Sequence, residues 1–405
     1  MKKNTLFFAF FLAILMYANA QWTIQSSGKT NDLHSVFFID ANNGFVVGDD
    51  NGMGSGGMIL KTTNGGANWT SQPSNTYSIL NSVHFTDLNT GYIVGGSGTI
   101  LKTTNGGANW TFLNSTVSGN LKDICFTSNS VAYIVGSGGI ILKTTDAGAT
   151  WTAQNSGITT MLRSVFFINE NTGYAVGDEG VILKTINGGT EWLAQVSGVT
   201  GTFKNLNSVY FTDANTGYVG AQKGNILKTT NGGANWTITS SGLSNDIFSI
   251  YFMDANIGYA VGWTKVLRTT NAGYTWDLQA TGINGNYDNL NDIFFVDANT
   301  GFTVGNNGRI LKTTNGGVGI TENTVENQIN VFPNPASDLL TLNIDNKNNG
   351  DLTINIYNLI GMLVKTEVLN QNQNQISLES LNNGVYMLEV KSKEWTKKQK
   401  LIIKK

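Results

Sequence analysis

The chain has 405 residues, enough for two or three domains, and a formal net charge of only −2. That charge removes any bulk electrostatic case for nucleic-acid or membrane-surface binding. Charged residues make up 13%, against 48 glycines and 3 prolines, a balance suited to short strands joined by tight turns.

The first twenty residues read as a signal peptide. Lys2 and Lys3 form a positive start, Leu6 to Met16 an uncharged apolar run, and Ala18-Asn19-Ala20 a small-x-small cleavage site. The run is too short to span a bilayer, so no transmembrane anchor is expected in the mature chain. Cys125 is the single cysteine, so an exported product has no internal disulfide and must rely on burial and strand pairing.

Next comes a repeat. The phrase Ile59-Leu-Lys-Thr-Thr-Asn64-Gly-Gly-Ala-Asn-Trp69 returns from Ile100, Ile141, Ile182, Ile226, Val266 and Ile310. Six copies end in tryptophan: Trp69, Trp110, Trp151, Trp192, Trp236 and Trp276. The seventh reaches Ile320 instead, and the missing tryptophan stands at the other end of the array, in Trp22-Thr-Ile-Gln-Ser-Ser-Gly. Each copy carries four strand signals. In the first these are strand A at 34–39, strand B at 44–47, strand C at 58–63 and strand D from Trp69. Asp40 to Gly44 and Asn64 to Gly66 supply the turns A–B and C–D. Four strands in about forty residues, seven times over, predict an all-β, seven-bladed β-propeller over residues 21–319. The N-terminal strand is expected to complete the last blade and so remove both open sheet edges.

The turn phrase resembles the Asp-box of bacterial neuraminidase repeats, which Thr144-Thr-Asp146-Ala-Gly148-Ala-Thr150-Trp151 matches in full. With its preceding Asn-Thr-Gly-Tyr-x-Val-Gly, the longer pattern is similar to the propeller family of photosystem II stability and assembly factors. That resemblance implies the fold and a scaffold that holds another protein. A sialidase would need three arginines for a carboxylate clamp. The chain has Arg163, Arg268 and Arg309 in all, and Arg268 stands where other copies carry the strand-C lysine. Asp40, Asp87, Asp213, Asp254 and Asp297 share one turn position and read as caps. Asp49, Asp50, Asp178 and Glu179 fall in B–C loops. His34 and His84 make a poor metal pair, and Cys125 reads as a core residue. No catalytic set, metal site or cofactor is indicated, although an extracellular glycoside hydrolase stays open as the alternative.

The spacings between copies divide the predicted ring into two faces. The step from strand C to tryptophan is always ten residues, as in 59 to 69 and 226 to 236. The step from tryptophan to strand A is 14 in five cases and 17 in two (192 to 209, 276 to 293). The step from strand A to strand C is 17 in five cases and 23 in the first blade, 36 to 59, where the insertion falls within residues 49–57. The variation lies in loops B–C and D–A, which share one face of an up-and-down blade. That face is the candidate binding surface. The position two before the strand-A apolar residue reads His34, Asn81, Lys122, Arg163, Asn207, Phe248 and Asn291. These seven should ring one mouth of the channel. Lys204, Lys223, Lys265 and Arg309 add charge nearby, and Phe203, Trp263 and Tyr287 add aromatic platforms. Such a mixture suits an anionic or carbohydrate ligand.

Residues 320–327 read as a polar linker. Residues 328–405 then show about seven short strand patterns, expected to form a small Ig-like β-sandwich. This segment resembles the type A C-terminal sorting domain of the type IX secretion system of Bacteroidetes. The matching residues are Phe332-Pro333-Asn334-Pro335, Ile356-Tyr-Asn-Leu-Ile-Gly361 and Leu381-Asn-Asn-Gly384-Val-Tyr-Met-Leu-Glu-Val390. The resemblance implies export through the periplasm, the type IX machinery as partner, and a secreted or surface-attached product. The whole chain therefore reads as a secreted or cell-surface binding module for a glycan or a protein.

Overall fold

A computed structural model describes residues 21–49, 56–201, 204–283, 288–317, 329–344, 352–358, 362–370, 375–392 and 396–405. The signal peptide, the linker, Asp50, Phe203, Tyr287 and Gly361 lie outside them. The chain divides into two units between residues 319 and 320.

The first unit is seven four-stranded antiparallel sheets. In blade 1, strand A is Leu33–Phe38, strand B Gly44–Asp49, strand C Gly57–Thr62 and strand D Thr70–Gln72. Blades 2 to 6 repeat this order along the chain. In the last sheet, Leu290–Phe295, Gly301–Gly305 and Arg309–Thr313 are completed by Thr23–Ser26, with Thr23 opposite Lys312 and Ser26 opposite Arg309.

One aromatic stack is rebuilt at six of the seven blade junctions; between blades 2 and 3 the corresponding rings, Tyr92 and Phe126, are tilted at 41°. A strand-B ring lies flat on the strand-A phenylalanine of the next blade, whose other side is met edge-on by that blade's tryptophan. Tyr174, Phe211 and Trp236 show it, with centroids 4.0 and 6.0 Å apart. Tyr259, Phe295 and Trp22 repeat it at the last blade, at 4.1 and 5.8 Å. Phe302, Phe38 and Trp69 then carry it from the last blade onto the first.

A polar clasp accompanies each stack. Lys184 Nζ and Tyr174 Oη both donate to Gly232 O, at 2.7 Å each. That carbonyl belongs to the next blade's C–D turn, and Lys312 closes the series on Gly65 O at 2.7 Å. Within the turn, Thr62 Oγ1 accepts from Gly66 N–H at 2.9 Å, and Asn64 Oδ1 accepts from Asn68 N–H at 2.9 Å. Gly66 sits at φ +80°, and a Cβ there would fall 2.7 Å from the Phe302 ring. Stack, clasp and turn interlock across blades, which explains why the strand C to tryptophan step never changes length. At the full Asp-box, Asp146 accepts from Thr150 N–H, Thr150 Oγ1 and Thr144 Oγ1, bonds that hold its carboxyl down to about 2. The predicted A–B caps are present too: Asp40 accepts from the Asn42 and Asn43 N–H groups at 2.8 Å each.

The second unit has a three-stranded sheet (Ile329–Phe332, Leu339–Ile344, Gln375–Ser377) and a four-stranded sheet. The four-stranded sheet is made of Leu363–Leu369, Leu352–Tyr357, Gly384–Lys391 and Thr396–Ile403. Leu340, Leu342 and Ile376 of the first share one core with Ile354, Ile356, Leu388 and Leu401 of the second. Strand alternation is strict in Leu352–Tyr357, whose even-numbered residues are the buried ones.

Candidate functional site

Strand A lines the channel, and in six blades it opens with a β-bulge. In blade 1, Leu33 pairs with Gly48 and Ser35 with Val47, so His34 is skipped. The same skip passes over Asn81, Lys122, Arg163, Asn207 and Asn291. In blade 6, Phe248 precedes its strand, Ser249–Phe252, and donates its N–H to Val261 O at 2.8 Å. A bulge re-aims side chains that simple alternation would send to opposite faces. Here it turns two successive residues per blade inward. All seven predicted residues, each half-buried, line one cavity of about 130 Å³ together with the residue that follows each of them.

The seven residues do different work. Asn81, Asn207 and Asn291 donate Nδ2–H to carbonyls at or just before the start of strand A in the next blade, Leu121, Ile247 and Leu33, at 2.7, 2.9 and 2.8 Å. They are blade-to-blade latches. His34 and Arg163 face carboxylates fifteen residues on. His34 Nε2 lies 3.7 Å from Asp49, and Arg163 forms an ion pair with Asp178. These contacts give two of the acids assigned to B–C loops their partners, although Asp49 in fact ends strand B. Burial lowers the His34 pKa. Lys122 has neither ion pair nor hydrogen bond among the described residues. Burial, and then the neighbouring Arg163 charge, lower its pKa. Phe248 supplies an apolar wall. Of the outer residues, Arg309 pairs with Asp288, and Trp263 is 37% exposed.

The residues following these seven form a second ring that the sequence reading did not single out. It reads Ser35, Ser82, Asp123, Ser164, Ser208, Ser249 and Asp292. Each blade junction carries a hydrogen bond through it. Val83, Val209 and Ile250 donate N–H to Ser35, Ser164 and Ser208 Oγ of the preceding blade, at 3.4, 3.4 and 3.2 Å. Ser82 Oγ donates to Asp123 Oδ1 at 3.0 Å, and Val165 N–H to Asp123 Oδ2 at 3.0 Å. Ser249 Oγ donates to Asp292 Oδ1 and Val36 N–H to Asp292 Oδ2, both at 3.0 Å. The belt thus runs through all seven blades. Burial raises both carboxyls, that of Asp292 to about 6. Every oxygen of the two acids is engaged in the belt, so they do not form a free acid–base pair. The signal was there: one position reads serine in five copies and aspartate in two.

Elsewhere, His84 lies among aromatic rings, 4.8 Å from Phe37 and 5.1 Å from Phe126, and burial lowers it to about 4. Cys125 packs against the core between blades 3 and 4, and burial pushes its thiol up to about 12. Among the described residues, no helix is long and apolar enough to cross a membrane.

In the second unit, Asn334 Nδ2 donates to Lys400 O at 2.8 Å and its Oδ1 accepts from Ile402 N–H at 2.9 Å. Flanked by Pro333 and Pro335, Asn334 thereby pins the final strand. Gly384 begins the strand that pairs with it, opposite Ile403. Lys398, one of the seven lysines between 391 and 405, is paired with Glu389 at 3.2 Å.

Two families match this architecture. Residues 330–404 match the secretion system C-terminal sorting domain. The photosynthesis system II assembly factor YCF48 model matches residues 14–159, 74–208 and 148–241, which together span more than half of the chain. The chain belongs to that family. No curated protein matches it. Among solved structures, YCF48 bound to D1 peptide is 24% identical with a TM-score of 0.61, over 73% of this chain and 97% of that one. YCF48 from Cyanidioschyzon merolae is 20% identical with a TM-score of 0.60, over 72% and 98%. The WD40 β-propeller domain of Doa1 is 12% identical with a TM-score of 0.56, over 72% and 96%. At these identities the likeness is one of fold. The YCF48-like propeller therefore travels with a type IX sorting tail, and the protein is secreted or held at the cell surface.

Proposed function

We propose that the propeller is an extracellular binding module that grips an acidic segment of a partner protein at its bulged channel mouth. The observation that carries this reading is Lys122. It is a half-buried cation without a partner among the described residues, set beside Arg163 in the cavity where all seven variable residues converge. A carboxylate entering there would meet a lysine and a guanidinium whose present partner, Asp178, is itself exchangeable for a ligand acid. Phe248 offers apolar contact on the same rim. A peptide complex of a family member with the same fold supports the choice of a protein over a glycan. The belt bonds of Asp123 and Asp292 weigh against a hydrolase.

The test is affinity capture with the mature chain from extracellular fractions, repeated with Lys122→Glu/Arg163→Glu. Captured partners should lose at least about tenfold in affinity, while unfolding stays unchanged. Equal loss on altering the exposed C–D turn residues Asn68 and Asn109 would overturn the mouth as the site. For the tail, deletion of residues 328–405 should leave the protein cell-associated and inaccessible to added protease. Normal appearance of the truncated chain outside the cell would refute a sorting role.

A further inference from the structure

The D–A loops share one construction, and two of them lack a part. In each loop a serine or threonine hydroxyl accepts the N–H two residues on. Examples are Ser115 from Val117, Ser156 from Ile158, Ser241 from Leu243 and Thr281 from Ile283, at 3.2 to 3.4 Å. The residue so held is Val117, Ile158, Val199, Leu243 or Ile283 in five loops, and each packs against an inter-blade core. It plugs the end of the sandwich between neighbouring blades. In the two loops flanking blade 1 the turn is kept: Ser27 accepts from Lys29 N–H at 3.1 Å and Ser74 from Thr76 N–H at 3.4 Å. The plug there is Lys29 in one and Thr76 in the other, and neither the core between the last and first blades nor that between blades 1 and 2 includes a D–A loop residue.

A cavity of about 630 Å³ lies at this place. Its wall includes Lys29, Asn31, Gln72, Asn75, Thr76 and Tyr77. Tyr77 is 85% exposed. The cavity is on blade 1, away from the channel mouth, and shares no residue with it.

We infer that this cavity is a saccharide site, and that the saccharide is acidic. A fully presented tyrosine ring offers a flat face for the C–H side of a sugar. Side-chain amides and hydroxyls match sugar hydroxyls in both donor and acceptor roles. The volume falls in the range of ligand pockets. Lys29, where five other loops carry an aliphatic group, supplies the cation for a uronate carboxyl.

The repeat itself provides the test variant. Lys29→Ile/Thr76→Val installs the plug residues that five other loops carry, so folding should be kept while the cavity wall loses its cation and a hydroxyl. Calorimetry on the mature chain would use a panel of glucuronate-, galacturonate- and mannuronate-containing oligosaccharides, with neutral oligosaccharides of equal length. At least one acidic oligosaccharide should bind, with at least about tenfold loss in the plugged variant and in Tyr77→Ala, and no loss in Lys122→Glu/Arg163→Glu. Equal binding of the neutral set, unchanged binding in the plugged variant, or no binding to any of the panel would overturn the inference. Loss only in the Lys122/Arg163 variant would move the saccharide to the channel mouth and overturn it equally.

Discussion

Trp22→Ala should destabilise the propeller by about 3–5 kcal/mol, the usual cost of emptying a large aromatic site in a core. Trp22 is fully buried. Its ring meets Phe295 at 85° and Tyr259 at 79°, and the backbone N–H of Trp22 donates to Ala280 O at 3.1 Å. These contacts tie the start of the mature chain to blades 6 and 7 at once. Trp69 is the matched control, since it occupies the same place in blade 1 and remains partly exposed. Trp69→Ala should cost less, and it leaves the chain's closure intact. Deleting residues 21–27 goes further. It uncovers the edge Arg309–Thr313, whose four partners in Thr23–Ser26 are then missing, and an unpaired edge invites association. Urea unfolding and light scattering would measure both effects. A midpoint for Trp22→Ala equal to that of wild type, or a monomeric and fully stable deletion, would show that the ring does not depend on its N-terminal strand.

Much of this was legible because the chain compares itself with itself seven times. The closing role of Trp22 followed from a missing tryptophan at the other end of the array. The channel-lining set followed from a variable column. What the column could not show was the bulge, a property of backbone pairing with no residue type of its own: His34, Lys122 and Arg163 share it with three asparagines. Nor could it separate Asn81, Asn207 and Asn291 from ligand-binding residues, because a latch to a neighbouring carbonyl uses the same amide as a ligand contact would. Asp123 and Asp292 escaped attention for the opposite reason. They sit in a column of serines, and only the ring shows that both aspartates do the job of Ser35, Ser164 and Ser208 there, accepting an N–H from the adjoining blade. Lys29 and Thr76 were passed over likewise, since a polar residue in a loop is unremarkable until five aliphatic counterparts are seen half-buried against the inter-blade cores.

Asp292 gives the second prediction, on stability and its pH dependence. Asp292→Ala strips the acceptor from Val36 N–H, Ile293 N–H and Ser249 Oγ, and unlatches blade 7 from both neighbours. Leaving such donors unpaired should cost about 2–3 kcal/mol. Asp292→Ser restores the residue that five blades use and should recover most of this loss. The pH behaviour separates the two side chains. Burial lifts the folded-state pKa to about 6, above the ordinary carboxylate value near 4 in the unfolded chain. Between those values the folded state holds a proton that the unfolded state has lost. Stability from this group is therefore fully present below about pH 4 and declines as pH rises to about 6, by about 3 kcal/mol in all. The turn and loop acids with lowered values, Asp40, Asp87, Asp213, Asp288 and Asp297, act in the opposite sense, and their stabilisation is lost as the medium becomes more acid. They are common to wild type and variant and cancel in the difference. Urea titrations at pH 4.5 and 7.5 should thus show wild type gaining on Asp292→Ser at the lower pH. Parallel pH profiles for the two proteins would mean that the belt carboxylate is charged throughout, with its three donors compensating fully for burial.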